Sequence, residues 1–359
     1  MENLFTWIKV LDCTRVFSGP FATRYFADYG AEVLKIETEE SFDEARSFSP
    51  IMWKESWYFE VVNRGKKSLN LNLKDEKDLH IFYKLIKETD IFVENFSPNV
   101  KYRLKIDYKT LSKINPQLIY GSLNWYWEGV DKKSYDAIIQ AESGFSSVNG
   151  SHYPMKNSTS VIDSFSWLSL ALGITSLLYK REKTWQGDFV NIPMIASGIQ
   201  LLEQNLTETS LSWKDPYLVW NWDNAIFPFW FFKTKDWSIS IAIWNDSLWE
   251  TFVKNIAPVL ANKYRSNQKR LDNKVYLQQI IEDKFHHYFT EDLSEKLDTL
   301  GVPNSAIKTM NEILDTQEYY DKKYIVKCRN AQWKSYCVPY EFIKYDWYDI
   351  EKIRPAPEL

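Results

Sequence analysis

The sequence predicts an α/β chain: a Rossmann-like large domain built on a parallel sheet, followed by a smaller α+β domain. Three observations carry this. Val10–Glu37 reads strand, tight turn, amphipathic helix, strand. The same βα alternation continues from Asn70 to Ser122. Beyond residue 212 the pattern changes to alternating apolar and polar residues and then to helices. Alternating β and α elements imply a parallel sheet with helices on both faces, and ligands in such folds sit beyond the carboxyl ends of the strands.

In the opening unit, Val10-Leu11 forms a short apolar strand that Ser18-Gly19-Pro20 breaks. Pro20 suits a helix's first turn, where its missing N–H costs nothing. Phe21, Ala22, Tyr25, Phe26 and Tyr29 recur at helical spacing, Gly30 ends the helix, and Val33–Ile36 is the next strand. With one glycine in the turn, the G-x-G-x-x-G fingerprint of dinucleotide binding is absent. Downstream, Lys74–Glu88 reads as a helix with Leu79, Phe82, Tyr83 and Ile86 on one face, followed by strand Ile91–Val93 and a turn at Ser97-Pro98. Tyr108–Ile114 is a short helix and Gln117–Leu123 a buried strand, which places Asn95-Phe96 and Asn124-Trp125 at the ligand edge. Ser164–Arg181 and Ile195–Thr209 read as helices around a strand near Phe189–Asn191. Ala225–Asp246 has the alternation of an antiparallel hairpin turning at Lys235-Asp236-Trp237, and helices are expected at Ser247–Ala261, Asn273–Tyr288 and Asp292–Thr299. The expected domains are 1–200, completed by a return segment 325–359, and 223–312, with linkers at 201–222 and 313–324.

Composition narrows the function. The net charge is -4 and no basic stripe is visible, which argues against nucleic acid. Cys13, Cys328 and Cys337 have no CxxC spacing, so neither a disulfide framework nor a metal site is expected. The N-terminus lacks a signal peptide's basic and apolar regions, and the apolar run Phe165–Tyr179 falls short of a membrane span (about 18 residues or more). A cytoplasmic protein is expected. Aromatic residues are abundant, at 16 Trp, 22 Tyr and 21 Phe, which fits aromatic-filled cores or a large apolar interface.

The opening segment resembles the N-terminus of the class III CoA-transferases (the CaiB/BaiF group, with formyl-CoA transferase, carnitine CoA-transferase and α-methylacyl-CoA racemase). Further blocks resemble that family in the same order: Asn63–Ser68 with Leu71–Lys74, Val93–Phe96, Ile114–Pro116, Tyr135-Asp136 with Gln140-Ala141, and Asp163 at the head of a long apolar helix. The resemblance implies an interlocked homodimer that uses acyl-CoA and a carboxylic acid as substrates, with coenzyme A as co-substrate and no metal. It implies a nucleophilic role for Asp163. By residue type alone, an Asp at this point is also a helix N-cap. One carboxylate without a metal suits acyl exchange through an anhydride.

The resemblance also implies CoA contacts at Phe17, Ser18, Thr38, Leu71, Lys74, Asn95, Phe96, Arg103, Lys133 and Tyr135. Asp136 reads either as a polar support for the site or as the N-cap of Ala137–Ser143. His152, in a loop ahead of Asp163, is a candidate for touching substrate. Arg46 matches a family Gly-Asp-x-x-Arg turn. Departures stand beside the matches. Thr38 replaces an Arg that some relatives place against the nucleotide, and Trp167 replaces a small residue one turn after Asp163, which would narrow an acyl pocket. Trp125, Trp127 and Trp167 suggest an aromatic pocket for a small or flat acid. No glycine-rich loop occurs in the second domain, so formyl or oxalate exchange is not expected. The chain also stops just after Arg354–Pro357, short of the segment that relatives add. Tyr135 occupies the position where the racemase branch needs a His, and a phenol (pKa about 10) is a poor base at neutral pH. Alternatives to transfer are an acyl-CoA racemase or isomerase, and a divergent relative that is non-catalytic or binds carrier-protein thioesters.

Overall fold

A computed structural model describes residues 3–38, 40, 42–127, 129–216, 218, 223–330, 332–340, 343–345 and 353–358. The chain divides into two compact units, one of Met1–Ser146, Lys156–Lys214 and Gln317–Leu359, the other of Ser147–Met155 and Asp215–Thr316.

The first unit is built on six parallel strands: β1 (Lys9–Cys13), β2 (Glu32–Glu37), β5 (Lys67–Asn70), β6 (Ile91–Glu94), β7 (Ile119–Asn124) and β8 (Phe189–Pro193). Their order is β5-β2-β1-β6-β7-β8. A small hairpin, β3 (Ile51–Met52) with β4 (Glu55–Ser56), lies between β2 and β5 in sequence. Strands β6 and β7 are buried throughout, as strands covered on both faces should be. The helices are α1 (Ser18–Asp28), α2 (Trp57–Asn63), α3 (Glu76–Ile86), α4 (Pro98–Arg103), α5 (Tyr108–Ile114), α6 (Asp136–Glu142), α7 (Val161–Thr184), α8 (Met194–Gln200) and α9 (Glu203–Ser212).

Local rules account for most ends. Asp75 caps α3 by accepting the Lys77 and Asp78 N–H groups, and Ser56 caps α2 by accepting that of Phe59. Gly30, at φ 98°, leaves α1 through the conformation that glycine tolerates best. The long helix α7 starts three residues earlier than its sequence suggests, with Ser160 at its N-cap. At 24 residues it is long and apolar enough to cross a membrane, contrary to the reading of the shorter apolar run. Its buried face, Ile162, Asp163, Ser166, Trp167, Leu170, Ala171 and Ile174, belongs instead to the core around α1 and the sheet.

Two stretches read as linkers are partly helical. Residues 201–222 contain α9, most of which lies within the helix read at Ile195–Thr209; that helix is two, α8 and α9, parted at Leu201-Leu202, while residues 217 and 219–222 lie outside the described ones. Residues 313–324 run through Met310–Asp315 and Gln317–Asp321, which are both helical. The tail's strands β12 (Ile325–Arg329) and β13 (Ser335–Pro339) pair antiparallel within the first unit. Beyond them, Gly65 N–H donates to the Pro355 carbonyl at 3.0 Å, and Ala356 N–H donates to the Glu60 carboxylate at 3.2 Å. The tail thus meets α2 and the turn that follows it; residues 331, 341, 342, 346–352 and 359 lie outside the described ones.

The second unit holds the predicted hairpin, β9 (Phe229–Lys233) against β10 (Ser238–Ala242), joined by β11 (Asn304–Ala306). Its core includes Trp230, Phe232, Ile239, Trp249, Phe252 and Phe285, so many of the aromatics fill an interior.

Candidate active site

Asp163 is the third residue of α7 rather than its cap. The capping is done from another helix: Asp136, the first residue of α6, accepts the N–H groups of Ile162 at 3.0 Å and Asp163 at 3.1 Å through Oδ1. Its Oδ2 accepts from Gln140 Nε2 at 2.5 Å. The N-cap of α6 is Tyr135, so of the two readings of Asp136 the structure selects the support of Asp163. An acceptor supplied from outside the helix also explains the early start of α7, because it satisfies N–H groups that a terminus leaves unpaired.

The Asp163 side chain is 7% exposed. The Ser18 hydroxyl, on the first residue of α1, donates to its Oδ1. Burial pushes the Asp163 carboxyl up to about 7; the Ser18 hydrogen bond opposes this and the Asp136 charge adds to it. Tyr58 faces the same charges. Burial first, then Asp163, Asp43 and Asp136, drive its phenol well above the usual range, so Tyr58 stays protonated at any ordinary pH. Tyr58 was not legible in the sequence, because it lies in a stretch with no helical period of its own. Aromatic rings line this region: Phe17 lies 5.4 Å from Phe21 and 5.9 Å from Tyr58, and Trp167 stacks on Phe21 at 4.7 Å.

Ser18 faces Asp163 because the loop between β1 and α1 is held by charges inside the protein. Asp12, fully buried on β1, pairs with Lys66 at 2.8 Å, and accepts from Thr14 N–H at 2.8 Å and the Thr23 hydroxyl at 2.7 Å. Lys35 donates to the Thr14 carbonyl at 2.7 Å and pairs with Asp43 at 3.0 Å. Asp43 in turn accepts the N–H of Val16, whose φ of 71° is unusual for a β-branched residue. Arg46 of the expected turn makes a two-pronged contact with Glu37 at 3.0 and 2.7 Å.

The residues assigned to CoA separate into groups. Thr38, Leu71, Lys74, Phe96 and Arg103 line one cleft of about 340 Å³ at the carboxyl ends of β1, β2 and β6, where Arg15 and Glu37 join them. Asn95 exchanges two hydrogen bonds with the Arg15 backbone, at 2.9 and 2.8 Å, and so holds the loop. Phe17 and Ser18 stand at the Asp163 end of that same loop. Lys133 is exposed, and Tyr135 is 62% exposed with its ring 5.7 Å from that of Trp125. His152 is exposed within Ser147–Met155, a segment that groups with the second unit. Trp167 is buried against Phe21, while Trp127 is 61% exposed. Among the described residues no cluster of His, Cys, Asp and Glu is set to hold a metal.

A sequence profile described as CoA-transferase family III matches residues 7–359. The acetyl-CoA:oxalate CoA-transferase of Acetobacter aceti is 31% identical over 99% of this chain and 92% of its own. The succinyl-CoA:glutarate CoA-transferase of Homo sapiens is 28% identical over 98% of this chain and 82% of its own. A solved CAIB/BAIF family protein from Brucella suis superposes with a TM-score of 0.87, covering 100% of this chain and 97% of that one at 24% identity, which speaks to the fold.

Proposed function

This chain belongs to CoA-transferase family III, and on that premise we propose that it moves CoA between two carboxylic acids through covalent intermediates on Asp163. The observation that carries the reading is the Asp163 carboxylate itself: buried, held by Ser18, backed by Asp136 and bordered by aromatic rings. A carboxylate stripped of water is a better nucleophile, and excluding water protects an anhydride from hydrolysis. Asp163 attacks the donor thioester, releasing CoA thiolate and leaving an aspartyl–acyl anhydride. The thiolate attacks the aspartyl carbon, forming an aspartyl–CoA thioester and releasing the donor acid. The acceptor carboxylate displaces the thiolate to form a second anhydride, and thiolate attack on its acyl carbon yields the new acyl-CoA and restores Asp163. The cleft of Arg15, Lys74, Phe96 and Arg103 suits the nucleotide end of CoA, with cations for phosphate and a ring for the base.

Intact-mass spectrometry after incubation with acetyl-, succinyl- and oxalyl-CoA, with a hydroxylamine or borohydride quench, tests this reading. An adduct on Asp163 that is lost in Asp163→Ala is expected. Solvent deuterium at the substrate α-carbon without an adduct points instead to an isomerase, and neither signal to a non-catalytic binder. Native spectra from the same samples are expected to report two chains, the assembly we propose.

The rate should also carry the signature of Asp163. Only the ionised carboxylate attacks, so kcat/KM is expected to fall as pH drops through about 7. Asp136→Asn keeps an oxygen facing the Ile162 and Asp163 N–H groups but removes the repelling charge. Its acid limb should therefore lie at lower pH than that of the wild type. An unmoved limb would remove Asp136 from the electrostatics of the site.

A further inference from the structure

Oδ1 and Oδ2 of Asp163 sit in different surroundings. Oδ1 accepts the hydroxyl of Ser18, which is itself buried and opens α1. Oδ2 has no hydrogen-bond partner among the described residues, nor is it one of the interior's sealed, unpartnered atoms. Oδ2 is therefore the oxygen open to reaction, and Oδ1 the oxygen that stays in place. Because Ser18 is the first residue of α1, the positive end of that helix also lies beside Oδ1.

Resting on the anhydride reading, we propose that the Ser18 hydroxyl is the donor that stabilises negative charge on Asp163 Oδ1 in the steps where the aspartyl carbon, rather than the substrate carbon, is attacked. Two steps are of this kind. In the first, CoA thiolate adds to Cγ of the anhydride and the carbonyl electron pair moves onto Oδ1. The pair returns as the Cγ–Oδ2 bond breaks, and the donor acid leaves carrying Oδ2. In the second, an oxygen of the acceptor carboxylate adds to Cγ of the thioester and Oδ1 again takes the pair. The Cγ–S bond then breaks and thiolate leaves. No proton is transferred in either step, so Ser18 keeps its own throughout. A neutral carbonyl oxygen is a weaker acceptor than an oxyanion, so this hydrogen bond strengthens at the transition state, as a catalytic contact must. The donor is supplied by the loop that Asp12, Lys35 and Asp43 hold, so it is in place before the reaction begins. The resemblance implies a CoA contact for Ser18, and its hydroxyl also meets the Asp163 carboxylate.

The test uses the full-length enzyme loaded to the aspartyl–CoA thioester, with ¹³C-labelled aspartate. The discharge of this species by acceptor acid is followed by rapid quench, and its carbonyl by isotope-edited infrared spectroscopy. Ser18→Ala is expected to slow discharge by about 10²–10³-fold, as for loss of one oxyanion donor. It should also move the aspartyl carbonyl band to higher frequency, because an unpolarised carbonyl is stiffer. Ser18→Cys, a weaker donor, should fall between the two in both readouts. Equal discharge rates and an unmoved band in Ser18→Ala would overturn the role of Ser18 while leaving the anhydride reading standing. Failure of the wild type to form any aspartyl–CoA thioester would overturn that reading itself, and with it this inference. If Ser18→Ala does not fold, Ser18→Cys alone decides by the same two readouts.

Discussion

Asp163→Asn is expected to lose at least about 10⁴-fold in CoA transfer, the scale seen when a covalent nucleophile is removed, and yet to be more heat-stable than the wild type at pH 8. The two results share one cause. Burial lifts the Asp163 carboxyl from 3.8 to about 7, so the folded chain holds its proton more tightly than the unfolded chain does. Below pH 4 both states are protonated and there is no penalty. As pH rises from about 4 to 7 the unfolded chain ionises freely while the folded chain must ionise inside, and stability is lost across that window. At about 1.4 kcal/mol for each tenfold in proton affinity, the full penalty above pH 7 is on the order of 4 kcal/mol. Asparagine has the same shape, keeps an oxygen for the Ser18 hydroxyl and carries no charge. Melting curves at pH 4 and pH 8 check this: the variant should gain several degrees at pH 8 and almost nothing at pH 4. A gain of equal size at both pH values would show that the ionised carboxylate is not what costs stability.

Asp12→Ala should strongly destabilise the first unit. It leaves Lys66 fully buried beside Lys35 with no carboxylate at 2.8 Å, and strands the Thr14 N–H and hydroxyl, which both donate to Asp12 Oδ1. Removing one partner of a buried pair costs about 3–5 kcal/mol, which should appear as a large drop in the urea midpoint with an unchanged slope. Although burial alone would raise the Asp12 carboxyl, Lys66 and Lys35 hold it down at about 2. The stabilisation is therefore present above pH 4 and lost as pH falls through 2. The double variant Asp12→Ala with Lys66→Met, which removes the stranded cation, should recover part of the loss. If it is no more stable than Asp12→Ala, the cost lies in the loop packing rather than in the uncompensated charge. Activity should fall in both, because the same carboxylate holds the loop that brings Ser18 to Asp163.

The alternation of strands and helices, the break at Ser18-Gly19-Pro20, the hairpin of the second unit and Asp163 itself were legible in the sequence alone. Each is written in residues near one another: the periods of 2 and 3.6 residues, the turn residues, and an ordered set of short motifs. Helix ends were less so. The head of α7 depends on Asp136, 27 residues away from Asp163 in the chain, and the helix read over Ile195–Thr209 is broken into α8 and α9, of which α9 buries none of its residues. The functional environment of Asp163 was not legible. Ser18 is separated from it by 145 residues, and Asp12 from Lys66 by 54. A hydroxyl or carboxylate at such a separation leaves no period in the chain, because its partner is chosen by how the sheet and helices pack. That is why the sequence could single out Asp163 as the candidate nucleophile, while only the tertiary structure decided which group holds its Oδ1, how deeply the carboxyl is buried and what keeps its loop in place.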